Sequence, residues 1–115
     1  TAAKDVHVLG DSIQIAPAMP KSGHMANNQG KVAAAAIVAQ LSGWDVNPAP
    51  MLTNTCYSFV DAKNVIHVAS VHEYVAAEKT FKTVAGSGGV STGPTELEGA
   101  YALSWANNIW ADSLA

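Results

Sequence analysis

Three short stretches carry residue types that could do chemistry. In the first, Gly10-Asp11 closes an apolar run, Val6-His7-Val8-Leu9. Glycine lets a ligand approach the backbone closely, and a carboxylate at a strand's end can accept two hydrogen bonds from a sugar diol. Turn-and-cap chemistry uses the same pair. The second stretch is Met19-Pro20-Lys21-Ser22-Gly23-His24-Met25-Ala26-Asn27-Asn28-Gln29-Gly30-Lys31. Small and amide residues at a helix start leave backbone N–H groups open to an acceptor, and the helix dipole favours negative charge there. Lys21 adds a cation, and an ordinary capped helix has the same pattern. The third stretch is Asn54-Thr55-Cys56-Tyr57-Ser58, which holds the chain's single cysteine. Beside an aromatic residue, Cys56 fits a small core position; redox work would need a mate from another segment.

These residues need elements to position them. Val6 to Leu9 reads as a buried parallel strand, because continuous apolar runs suit strands covered on both faces. The rest of such a sheet is not in the sequence, so another polypeptide segment is expected to complete the chemistry. Ser12 to Lys21, with Pro17 and Pro20, reads as a loop. A helix is predicted from about Gly23 to Leu41, with Ser22 as cap and Gly43 as stop. Val32, Ala36, Ile37 and Leu41 share one face, and the alanines at 33–36 permit close packing. Trp44 to Met51, with Pro48 and Pro50, has linker composition.

The second part begins near Leu52. Thr53–Val60 and Val65–Tyr74 are rich in β-branched and aromatic residues, with turn chemistry at Asp61-Ala62-Lys63-Asn64 between them. Thr80 to Ala85 is a third strand candidate, and Gly86-Ser87-Gly88-Gly89 with Gly93-Pro94 punctuates a loop. Thr95 and Glu98 have capping-box spacing for a last helix running to about Leu114. Its apolar residues cover a wide arc, so it is expected to be largely buried or to cover another chain. Trp105 and Trp110 lie at helical spacing that favours packing inward.

Composition bounds the function. The chain has 115 residues, is 49% hydrophobic and carries a net charge of -3, with enough apolar material for one modest core. Charged residues make up 13%, which gives no electrostatic footprint for nucleic acid. The apolar run from Val32 to Leu41 is far short of the roughly 20 residues a membrane span needs. One cysteine excludes an internal disulfide framework and a cysteine-rich zinc site. Four histidines, His7, His24, His67 and His72, could join Met25 and Cys56 as metal ligands. However, His67 and His72 sit five apart in a predicted strand and would point to opposite faces.

In this order the motifs carry a resemblance. Val-His-Val-Leu-Gly-Asp, the Met-Pro-Lys-Ser-Gly-His-Met-Ala-Asn-Asn-Gln-Gly-Lys-Val-Ala segment and Asn-Thr-Cys-Tyr-Ser are similar to the C-terminal part of the flavoprotein subunit of flavocytochrome c sulfide dehydrogenase. Tyr101 to Ile109 resembles that subunit's last helix, so the likeness covers nearly the whole chain. It implies an α+β fold in two parts. Residues 1–47 would be a strand–loop–helix remnant of an FAD-binding, Rossmann-like domain. Residues 48–115 would be a small antiparallel-sheet interface domain with a C-terminal helix, where the family meets its cytochrome partner.

The resemblance also implies roles. Gly10 and Asp11 would lie near the ribityl and phosphate part of FAD. Lys21, Ser22 and Gly23 would face the isoalloxazine ring, where a helix start stabilises the negative charge that develops on reduction. Cys56 would be half of a redox disulfide attacked by sulfide, with electrons passing through FAD to a cytochrome c subunit. A periplasmic location follows from the family alone. The chain departs from the pattern because no G-x-G-x-x-G follows a strand and no second cysteine is present. FAD is therefore expected only with the N-terminal domain, and the chain alone is not expected to be active. The alternative is a truncated, non-catalytic binding or assembly module, dimeric through exposed apolar surface.

Overall fold

The computed structural model describes residues 3–14 and 16–114. Ile15, within the predicted loop, Thr1 and Ala2 of the first predicted domain and Ala115 of the second lie outside the described residues. Helix α1 spans Gly23–Ser42, and both its ends follow from sequence chemistry. The Ser22 hydroxyl accepts the Met25 N–H at 3.1 Å, satisfying one of the orphan donors of the first turn. Gly43 adopts φ 70°, the left-handed conformation that closes a helix, and the Trp44 N–H reaches the Ala39 carbonyl at 2.8 Å.

Strands β1 (Met51–Phe59) and β2 (Val65–Val75) form a long antiparallel hairpin. Leu52 faces His72, Cys56 faces Val68 and Phe59 faces Val65 across the ladder. The turn closes on one side chain: Asp61 Oδ1 accepts the Lys63 and Asn64 N–H groups, each at 2.8 Å. Those bonds, the one from Asn64 first, hold the Asp61 carboxyl below its usual range. Strands β3 (Thr80–Thr83) and β4 (Gly89–Val90) both pair with β2, leaving β1 at the sheet's edge.

Helix α2 covers Glu96–Leu114 and joins the sheet where Val65 and Thr95 exchange two backbone hydrogen bonds of 3.1 Å. Gly99 and Ala102 are buried in α2, and Val65 of β2 is buried as well. A second cluster joins Ala16, Met19, Met25 and Leu52, with Ile13, Val32 and Phe81 packed against it. The Cα radius of gyration is 16.1 Å, against roughly 13 Å for a compact domain of this length. Much apolar surface therefore faces solvent, including Leu41, Trp44, Val90 and Leu114.

Four expectations need correction. Val6 to Leu9 forms no strand; apolar composition alone does not make one, since a parallel strand exists only in a ladder with another. Strand β3 stops at Thr83, two residues early, where the Val84 N–H turns back to the Val71 carbonyl at 2.9 Å. Gly89-Val90, expected as loop, is the two-residue β4, held by its backbone rather than by any side-chain pattern. Of the two expectations for α2, burial within this chain is the one corrected: only one narrow line of the helix is covered, and Trp110 is 59% exposed rather than packed inward. Trp105 is partly buried against His24 and Tyr57.

His72 gives the fold a pH dependence. It is fully buried, with Ser70 Oγ 2.9 Å from Nε2 and Thr83 Oγ1 3.5 Å from Nδ1. Burial lowers its pKa below the ordinary histidine value of 6.5. The unfolded chain then binds a proton that the folded chain resists, so stability is full above about pH 6.5 and declines as pH falls below it. Urea unfolding at pH 7.5 and 5.5 should show the lower midpoint at 5.5. Equal midpoints would mean that His72 takes up its proton in the folded state at no cost.

Candidate functional site

The site is built where the start of α1 meets β1. Alternation along β1 puts Asn54 and Cys56 on one face and Thr55 and Tyr57 on the other. Asn54 is buried, at 2% exposure, and its Oδ1 is the meeting point. It accepts the Ser22 hydroxyl at 2.5 Å and lies 3.5 Å from Cys56 Sγ, so the helix cap and the thiol share one amide oxygen. Cys56 is partly buried and free. The Ser22 hydroxyl donates to Asn54 while accepting from Met25, which fixes it from both sides.

On the other face an aromatic row runs toward α2. His24 meets Trp105 edge-on at 5.3 Å between ring centroids, Trp105 lies 5.9 Å from Tyr57, and Tyr57 lies 6.2 Å from His67. The row ends in a polar cluster. His67 Nδ1 and Glu98 Oε2 are 3.0 Å apart, and Ser91 Oγ donates to the same carboxylate oxygen at 2.6 Å. The Ser91 bond first, then His67, lowers the Glu98 pKa. Glu98 was legible only as half of a capping box. Its N–H does bond Thr95 Oγ1 at 3.1 Å, but its side chain serves Ser91 and His67.

The predicted residues of the first part gather beside this site. Gly10, Asp11, Lys21 and Ser22 line one small cavity of about 10 Å³ with Met25 and Gln29, room for about one water molecule. Gly10 and Asp11 begin a short 3-10 turn, Gly10–Ser12. Gly10 has φ 72°, and a Cβ there would lie 3.7 Å from the Ala26 Cβ, so conformation rather than space selects glycine. Its N–H donates to Gln29 Oε1 at 2.6 Å. The Lys21 ammonium bonds the Asp11 main-chain carbonyl, and both side chains are otherwise at the surface. Gly23, the first residue of α1, is exposed, and the Gly23 and His24 N–H groups have no acceptor among the described residues.

These features bring Lys-Ser-Gly of one segment against Asn-Thr-Cys of the other. Residues 48–114 match the sequence model of the flavocytochrome c sulphide dehydrogenase flavin-binding family, well over half of the chain. The chain belongs to this family. The small antiparallel sheet with its C-terminal helix is the matched region, so the α+β expectation holds. The residues present suit a flavin: open N–H groups at a helix start, a lysine beside them and a thiol within the same hydrogen-bonded cluster. No helix among the described residues is long and apolar enough to cross a membrane.

Sequence reading missed three functional candidates. Asn54 stood in the quoted motif, and its signal was the i, i+2 spacing from Cys56, which puts both on one strand face. His24 stood in the second motif as a potential ligand, while its observed partner is a backbone N–H 31 positions away. The His67–Glu98–Ser91 cluster depends on the β2–α2 register and had no local signal. Between His67 and His72 the expectation of opposite faces agrees with the ladder, where they face Tyr57 and Leu52.

Proposed function

We propose that this chain is the flavin-facing C-terminal portion of a sulfide-oxidising flavoprotein, with Cys56 as one half of a redox disulfide. The observation that carries the reading is the shared Asn54 oxygen, which ties the thiol of Cys56 to the capping hydroxyl of α1. A helix start is where negative charge is best tolerated, and here the sulfur and that start belong to one cluster.

In this reading residues 1–47 complete an FAD-binding domain supplied by the remainder of the flavoprotein. Residues 48–115 form the interface domain toward a cytochrome c subunit, in the periplasm. Gly10 and Asp11 take the ribityl and phosphate part of FAD, and Lys21, Ser22 and Gly23 face the ring. Hydrosulfide attacks one sulfur of the disulfide: a new S–S bond forms, the old one breaks, and the other sulfur leaves as thiolate. Restoring the disulfide with sulfur at oxidation state zero requires two electrons and a proton to leave. A bound FAD would supply the two-electron acceptor that this balance needs and a means of passing electrons on singly. Ser22 and Asn54 hold the sulfur in place, and the open Gly23 and His24 N–H groups offset developing negative charge.

A visible spectrum and an intact mass under non-reducing conditions test this. Flavin absorbance together with a disulfide-linked companion segment supports the reading. A colourless dimer with a free thiol would replace it with the assembly-module alternative, for which the exposed apolar residues of α1 and α2 are the motivating feature.

A further inference from the structure

Strand β1 is an edge strand, so the N–H groups on its outer side have no sheet partner. One of them, on Thr55, donates to His24 Nδ1 at 3.0 Å. An Nδ1 that accepts carries no proton, so the ring's proton sits on Nε2. We propose that His24 is a positioning residue for Cys56: as a neutral imidazole it pins the Thr55–Cys56 backbone to the start of α1. The proposal deepens the assignment of Cys56 as the reactive sulfur and rests on that reading for its significance.

The surroundings favour the neutral ring. His24 is the second residue of α1, where the helix dipole opposes a cation. Lys31 of the same helix adds like charge and is itself paired to Asp112 of α2 at 2.8 Å. Strand β1 carries no charged residue, and α2 offers the Trp105 ring edge-on. Burial first, then Lys31, lowers the His24 pKa. Protonation would set an N–H against the Thr55 N–H. The clasp would open, and the sulfur next to it would lose its fixed place beside Asn54.

The test uses the 115-residue chain and two variants. His24→Asn puts an amide oxygen where Nδ1 stands, and it accepts at any pH. His24→Phe keeps a ring against Trp105 and has no acceptor. Hydrogen exchange followed by NMR should show the Thr55 protection factor falling between pH 7.5 and 4.5 by at least about tenfold more than those of the β2 ladder amides, which follow only the global loss expected from His72. In His24→Asn Thr55 should lose no more protection than the β2 amides across that range, and in His24→Phe its extra protection should be missing throughout. Alkylation of Cys56 by iodoacetamide at pH 7.5 should run several-fold faster in His24→Phe and near the native rate in His24→Asn.

A flat wild-type profile, protection retained in His24→Phe, or an unchanged Cys56 rate in that variant overturns the proposal. Should His24→Phe not fold, the wild-type and His24→Asn profiles alone decide. None of these readouts involves flavin, so failure of the flavin reading would leave them unaltered.

Discussion

Replacing Cys56 by serine in the assembled flavoprotein is expected to abolish sulfide-dependent flavin reduction while leaving the flavin bound. Serine cannot enter a disulfide, and its hydroxyl does not take up and release an electron pair as sulfur does. The loss should be on the order of a thousandfold or more, the scale seen when a covalent participant is removed. Flavin retention is expected because the groups assigned to hold it are elsewhere, at Gly10, Asp11, Lys21 and the start of α1. The swap is also small: serine can still donate to Asn54 Oδ1, which Cys56 Sγ approaches at 3.5 Å. Rapid-mixing absorbance at the flavin band reads both quantities in one experiment. Unchanged reduction would remove Cys56 from the chemistry, whereas loss of bound flavin would make it a structural residue of the cofactor site.

Gly99→Ala should be the most damaging small substitution for the fold. A Cβ at Gly99 would sit 2.2 Å from the Lys63 carbonyl oxygen and 3.4 Å from its carbon. The obstacle is backbone in the β1–β2 turn, and the Asp61 bonds to Lys63 and Asn64 brace that turn. Helix α2 must therefore move. Overpacking costs about 1–3 kcal/mol, and a rigid backbone contact belongs at the upper end. Alanine's helix preference over glycine returns about 1 kcal/mol, leaving a net loss of roughly 2 kcal/mol. For a domain of this size the midpoint of thermal unfolding should fall by roughly 10 °C. Gly30→Ala is the control: it also lies within a helix, α1, with nothing within 4 Å of the added carbon, and should stabilise or be neutral.

The parts of this molecule that were legible in the sequence are those whose causes are local. Ser22 and Gly43 delimit α1 through their own side chain and dihedral, and Asp61 closes the hairpin with bonds to residues two and three positions on. Thr95 caps α2 in the same way. What was not legible depends on a neighbour far away in sequence. Val6 to Leu9 has strand composition, but a parallel strand exists only beside another. Strand β4 contains a glycine and two residues in all, so backbone pairing to Val68 and Ala69 is its whole cause.

The site divides the same way. Gly10, Asp11, Lys21 and Ser22 were named from sequence and do come together around one cavity. Lys21 differs in detail, because its ammonium serves the Asp11 carbonyl. Asn54 and His24 acquire meaning only when α1 lies along the free edge of β1. Glu98 shows how one residue can satisfy a local pattern with its N–H and a distant one with its carboxylate.

The double grip on β1 also limits how this segment can vary. Ser22 holds a side chain at position 54 and His24 holds the main chain at position 55, so adjacent residues are anchored in two different ways. Exchanging one residue for another leaves that phase intact. Adding or deleting one between Met51 and Asn54 would swap the two faces, sending the sulfur to the α2 side and Tyr57 to the Met25 side. The register of the motif thus survives substitution but not a change of length.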